Sequence, residues 1–398
     1  MQKIEANYDI SFWNVDMLSL RTGYQAKGKI KMLPMNFVSD IDAALFIACG
    51  RIVVFSGKNR SIFLLDPYSG KHTKSFSLDS DMEWTDIAVK NNDIYALNKN
   101  KRIDHLRFDN RQMKYFHSGS KEIECSSINE YTRIALGDQQ KPDPVFPKRM
   151  NKTTVAYIGP FEKSRFLAVY LEDDYKEQAE LKVAMPKEYP DKHVGNNIRF
   201  FADDKNNSLI IAEKDKHRVF EYYIKSGESI HICGNAAPSS CMEGETAKKA
   251  GLNNPMGVAV YRPQEFIEKG FFSETAKNIL SCDRDGVLPR FIFICDHGND
   301  CVRKIMEYPE SVGALKVSGL NMIFTLMGGA KNKDNAYLSE DKDSLPAYDV
   351  PNPVNVSVSP KGEIIILNDR GLYFLQPATS IGEYDNYKES TRTSTDAS

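Results

Sequence analysis

Six oxygen-bearing side chains recur at one place in the repeating part of this 398-residue chain. Pro255 and Pro353 stand 98 residues apart, and aligning on them also brings Asn254 onto Asn352, Val258 onto Val356 and Val260 onto Val358. In the other β-rich segments the same place is held by Asp42, Glu83, Glu130 and Asn196, each just ahead of an apolar run. Half of the six are carboxylates and half carboxamides. Brought together round one axis, such donors suit Ca²⁺, a hard cation that takes about six to eight oxygens. The same residue types ahead of a strand also bond to nearby backbone amides. The spacing therefore supports either a Ca²⁺ site or simple shaping of the backbone.

A second set is basic. Lys58 and Arg60, then Lys99, Lys101 and Arg102, then Lys214, Lys216, His217 and Arg218 fall on short turns between β-rich runs. Gathered on one face, they would attract RNA or another polyanion through phosphate neutralisation. Exposed turns are polar by default, and the acidic runs at 79–83 (DSDME) and 339–343 (SEDKD) belong to the same face. An ordinary solvated surface is the alternative.

Motifs for catalysis are missing. There is no nucleophile elbow, phosphate-binding Gly-rich loop, dinucleotide fingerprint or HExxH helix. The cysteines, Cys49, Cys125, Cys233, Cys241, Cys282, Cys295 and Cys301, contain no CxxC pair, which argues against a zinc ribbon. Cys295 and Cys301 flank a turn and Cys233 and Cys241 bracket a loop, so both are candidate disulfides in an exported protein. Their odd number favours reduced thiols in a reducing compartment.

These residues sit on a repeat. Strand-like runs with alternating or continuous apolar character are bounded by turn residues, as in AALFIA, RIVVF, SIFLLD and HTKSFSL over 43–78. Similar sets start near 82, 131, 197, 252 and 350. An offset of 199 brings Ala96 onto Cys295 and Ile103 onto Val302. The third set carries a polar, Pro-rich insertion at 137–152, and the fifth an insertion at about 264–288 with helical spacing. Five sets offer four strands and the sixth only three, while residues 28–36 supply a spare strand near the start. A four-stranded unit cannot cover both of its faces alone, so the units must stack and close into a ring. The expectation is an all-β, six-bladed β-propeller over 37–380, with a lead-in at 1–36 whose strand completes the last blade, and a flexible tail at 381–398.

The stretch 252–305 resembles the NHL repeat of β-propellers. Leu252, Pro255, Gly257, Val258, Ala259 and Val260 match its first half, and Asp296, Gly298, Asn299, Val302, Arg303, Lys304 and Ile305 its second. His297, Asp300 and Cys301 depart from it. Asn at the place of Asn254 belongs to that pattern. Some propellers of this type are zinc lyases, and their chemistry needs several histidines on the central channel. None of the six predicted innermost strands holds one: His72, His105, His117 and His231 fall in outer or third strands, His217 and His297 in turns, and His193 in a loop leading into a blade.

A net charge of −2 gives no global field for nucleic acid, and no apolar run approaches the ~20 residues of a membrane-spanning helix. The first residues lack the layout of a signal peptide, so a cytoplasmic protein is expected, or a secreted one if a leader has been removed. Together these features predict a monomeric, non-catalytic platform for a protein partner, without a cofactor unless the oxygen ring holds Ca²⁺. A metal-dependent hydrolase or lyase with a site in the channel is the alternative, and RNA or polyanion binding through the basic turns the second.

Overall fold

Burial explains why the middle strands read as unbroken apolar runs. IVVFS (52–56), SIFLL (61–65) and SLIIAE (208–213) are buried at every position, so both faces of their sheets are covered. The computed structural model describes residues 5–9, 27–33, 35–125, 128–142, 150–172, 178–239, 245–262, 290–307, 321–329 and 350–376.

Two strands, β1 (Glu5–Asp9) and β2 (Lys27–Leu33), precede the ring. Blade 1 is β3–β6 (Ala43–Phe46, Ile52–Ser56, Ser61–Leu65, His72–Ser77). Blade 2 is β7–β10 (Trp84–Lys90, Asp93–Asn98, Arg102–Asp109, Lys114–Glu122). Blade 3 is β11–β14 (Arg133–Pro142, Met150–Phe161, Arg165–Tyr170, Gln178–Lys182). Blade 4 is β15–β18 (Ile198–Asp203, Ser208–Glu213, Arg218–Tyr223, Glu228–Cys233). A short β19 (Glu245–Thr246) precedes blade 5, β20–β23 (Pro255–Tyr261, Arg290–Asp296, Cys301–Glu307, Met322–Gly328). Blade 6 is β24–β26 (Asn355–Val358, Ile364–Asn368, Gly371–Gln376).

Each blade is an antiparallel sheet. The first strands touch in a closed cycle, β3 to β7, β11, β15, β20, β24 and back to β3, which makes the molecule a six-bladed β-propeller. Its core is divided accordingly. Phe55 and Trp84 belong to the cluster between blades 1 and 2, Ile134 and Leu97 to that between 2 and 3, and Phe166 and Phe200 to that between 3 and 4. Val219 and Ile294 join blades 4 and 5, Phe293 and Ile366 blades 5 and 6, and Phe46 and Phe374 blades 6 and 1.

The ring closes as expected. β2 pairs antiparallel with β26 from Lys29↔Gln376 to Leu33↔Leu372, giving blade 6 its fourth strand. Leu33 is 2% exposed and packs in the cluster between blades 6 and 1. Unexpectedly, β1 pairs outside β2 and β19 outside β23, so two blades have five strands. Much of the segment at 137–152 is strand rather than an insertion, because β11 and β12 stay in register out to Pro142↔Met150. The insertion at 264–288 and the tail at 381–398 lie outside the described residues.

The 199-residue offset also needs a correction. Leu97 pairs with Ile103, whereas Cys295 pairs with Val302, so the structural equivalent of Cys295 is Leu97 and not Ala96. The turn in blade 2 is one residue shorter, which shifts its second strand against the third. These turns share a device: Arg60, Lys101, Ser164, His217 and Asp300 all take positive φ where the chain reverses.

Close approach at the axis demands one particular glycine. A Cβ on Gly257 would lie 2.8 Å from Asn355 Cα and 2.9 Å from Val354 O, so only glycine lets β20 and β24 sit this near.

Candidate functional site

The six first strands line an axial cavity of about 230 Å³. The loops leading into the blades meet at one of its mouths, and the six oxygen-bearing residues stand in those loops. Their groups are engaged separately. Asp42 Oδ2 accepts a bond from the Gly57 amide at 2.6 Å, and Glu83 lies 3.6 Å from Lys99 Nζ. A hydrogen bond to Glu130 holds the Tyr131 phenol above its usual range. Asn196 is exposed, and its carbonyl accepts from the Ile198 amide. Asn254 and Asn352 have φ of 52° and 47°, a conformation asparagine tolerates better than most residues. Their amides donate to His217 Nδ1 and Asp300 Oδ1 of the preceding blades, at 3.0 and 2.9 Å. Asn352 Nδ2 donates to Asp369 at 2.5 Å. Among the described residues no group of three or more His, Cys, Asp or Glu side chains gathers as a metal ion requires.

A second layer lies three residues further along each first strand: Leu45, Asp86, Arg133, Arg199, Gly257 and Asn355, all lining the cavity. Asp86 accepts from Arg199 Nη1 at 3.0 Å and from the Ile134 amide at 3.1 Å. Arg133 has no such carboxylate. Its Nη1 donates to the main-chain oxygens of Glu130 and Thr132, and its Nε is buried with no partner among the described residues. Burial, then the neighbouring Arg199 charge, bring the Arg133 guanidinium down to about 10, so it remains charged at neutral pH. Two guanidiniums thus face one carboxylate.

Sequence reasoning missed this layer because it looked for histidines on the inner strands. The register that located the oxygen ring, carried three residues forward, reaches Asp86, Arg133 and Arg199 directly. No histidine lines the cavity among the described residues, and the only hydroxyl there, Ser357 Oγ, accepts the Phe46 amide at 3.2 Å. Among the described residues the lining therefore pairs no nucleophile with a base.

At the opposite mouth, Lys90 Nζ bridges Asp138 and Asp204 at 2.8 and 3.0 Å, and Lys152 reaches Asp138 at 2.5 Å. Burial raises Asp204; it also works to raise Asp138, but Lys152 and Lys90 outweigh it and hold that group low.

The basic turns do share the face of the leading loops, where carboxylates meet them. Lys58 pairs with Asp40 at 2.6 Å, Arg102 with Asp81 at 3.0 Å and Asp104 at 2.9 Å, and Lys216 with Asp191 at 3.3 Å. Arg60 donates to the Asp79 carbonyl. Lys101 and Lys214 stand on the same turns. Arg218 is fully buried, paired with Glu213 and stacked at 4.0 Å over Tyr189. Cys295 is a buried free thiol opposite Val302, so no Cys295–Cys301 bridge forms. Cys241 lies outside the described residues.

The leading loops are themselves pinned. A buried polar residue ends the second strand of several blades and binds the loop of its own blade. Ser56 Oγ donates to Ser39 O at 3.0 Å, Glu213 Oε1 accepts from Gly195 N at 2.6 Å, and Asp296 Oδ1 accepts from Asn253 N at 2.7 Å.

No protein-family model matches the chain, and a search of curated proteins finds no match. Solved structures do match. A protein of unknown function from Bacteroides thetaiotaomicron is 12% identical, with 94% of this chain and 76% of that one aligned and a TM-score of 0.52. An auxiliary nutrient binding protein from Bacteroides ovatus is 10% identical over 94% and 77% of the two chains, TM-score 0.51. Another, from Bacteroides thetaiotaomicron, is 11% identical over 95% and 77%, TM-score 0.51. At these identities the likeness speaks for the fold. Among the described residues no helix is long and apolar enough to cross a membrane.

Proposed function

We propose that this chain is an NHL-type propeller acting as a non-catalytic platform for a protein partner, engaged on the face of the leading loops. One observation carries the reading. The loops of blades 1, 4 and 5 are tied to their own sheets by the buried ends of the second strands, Ser56, Glu213 and Asp296. A face that is ordered before a partner arrives has less conformational entropy to lose on binding.

The test is affinity capture from the native source with three baits: wild type, a leading-face variant (Tyr131→Glu with Lys99→Glu) and an opposite-face variant (Lys205→Glu with Lys361→Glu). The expected result is one stoichiometric protein that the wild type and the opposite-face variant retain and the leading-face variant loses. A partner lost only with the opposite-face variant, or none at stoichiometric level, refutes the reading.

A further inference from the structure

We propose that the axial cavity binds a short-chain monocarboxylate, with the carboxylate held between Arg133 and Arg199. This goes beyond the platform reading and does not rest on it.

The two guanidiniums come from adjacent first strands, β11 and β15, and both line the cavity. The carboxylates facing them are few and occupied. Asp86 holds one Arg199 nitrogen and the Ile134 amide, and Asp42 at the mouth holds the Gly57 amide. Glu130 gives Arg133 only its main-chain oxygen. Among the described residues both arginines donate side-chain hydrogen bonds from Nη1 alone, Arg133 Nε is buried with no partner, and the carboxylate pairing belongs to Arg199. A carboxylate placed there would separate two like charges and satisfy planar donors in the fork geometry that guanidinium offers.

Size and polarity restrict the rest of the ligand. The cavity, about 230 Å³, lies below the roughly 300–1,000 Å³ of drug-sized pockets. Beyond the charged layer its lining is mostly apolar, with Ala88, Ala135, Phe201, Ala259 and Val358, and Ser357 brings a hydroxyl. That part suits a few carbons and offers an anion one hydroxyl and no positive charge. The mouth carries Asp42, Glu83 and Glu130, which oppose a dianion more strongly than a monoanion. A single carboxylate on a short hydrocarbon body meets all three conditions, and inorganic phosphate does not.

Calorimetric titration of the full chain with sodium propionate, butyrate and lactate tests this, with sodium phosphate as the other arm and ionic strength held constant with chloride. We expect one-site saturable binding of at least one monocarboxylate. Arg133→Gln should weaken it about ten-fold or more and Arg133→Lys should recover part of the loss. Lys152→Gln at the other mouth should leave it unchanged. If the Arg133 variants do not fold, ¹⁵Nε spectra of the wild type replace them, with two arginine side-chain signals moving on titration. The proposal fails if no monocarboxylate saturates by about 20 mM, where even a weak millimolar site would fill. It also fails if phosphate binds more tightly than every carboxylate, if Arg133→Gln binds like the wild type, or if no arginine signal moves. Because only purified protein and small acids are used, none of these outcomes bears on capture of a protein partner.

Discussion

Replacing Arg290 by methionine should reveal how the interface between blades 4 and 5 depends on charge. Arg290 is 4% exposed and reaches across that interface. It meets Glu221 at 2.7 Å, Asp203 at 2.8 Å and Glu307 at 2.6 Å. Without it, Asp203 keeps Arg262, and Glu307 is a quarter exposed. Glu221 is the group left stranded, at 1% exposure with only Ser208, Asn206 and Tyr223 as neutral donors. Breaking a buried pair from one side costs about 3–5 kcal/mol, because the remaining charge loses its counter-ion in a poorly solvated place. The sign of the pH dependence follows. In the wild type burial pushes Glu221 up, but Arg290 more than offsets this and its pKa is lowered. Its stabilising contribution is therefore present above the unfolded carboxylate range and is lost as pH falls through the folded value. In the variant the stranded carboxyl should titrate above its usual range, so protonation relieves the defect. Urea denaturation of both proteins at pH 7.5 and pH 5 should show a gap of about 3–5 kcal/mol that narrows on acidification. A gap below about 1 kcal/mol, or one that does not change with pH, would refute the reasoning, since it would mean Glu221 finds water or another donor.

Four further outcomes are expected. Deleting residues 1–36 removes β2 and Leu33, exposes the edge of β26, and should lower the melting temperature and promote self-association on gel filtration. Gly257→Ala places its Cβ against backbone of blade 6 that cannot swing aside and should cost about 1–3 kcal/mol in chemical denaturation. Millimolar Ca²⁺ should leave the melting temperature unchanged, because the oxygen ring bonds group by group to separate partners; an upward shift reversed by chelator would show that the ring binds the ion. A labelled RNA should stay unbound at low salt, given the carboxylates beside Lys58, Arg102 and Lys216; salt-sensitive retention would mark the turns as an anion-binding face.

The architecture was legible because a propeller writes its constraint in a strand count. A blade of three strands plus a spare strand elsewhere leaves one economical pairing, and β2 against β26 is that pairing. Charge on the axis was harder to read. Asp86, Arg133 and Arg199 look like the solvated charges of any half-exposed strand, and only position in a closed ring turns them inward. The slip between Leu97 and Ala96 came from a turn one residue short, which moves side chains from one blade interface to the other without changing the apolar pattern. β1 and β19 add to sheet edges through backbone bonds, and such pairing leaves little side-chain signature.

The closing strand also sets an order in time. β2 leaves the ribosome ahead of the six blades, yet its partner β26 lies roughly 340 residues later in the chain. By loop-closure scaling, joining ends ten times further apart costs only about 2 kcal/mol more, so distance is a small thermodynamic burden. The delay matters more. While blades 1 to 5 assemble from neighbouring hairpins, β2 has no β26 to pair with, and the first face of blade 1 has no blade 6 to cover Ala44, Phe46 and Val54. For the length of a synthesis cycle the growing protein is an open spiral with a bare end, and that interval is when chaperones or a second nascent copy would meet it.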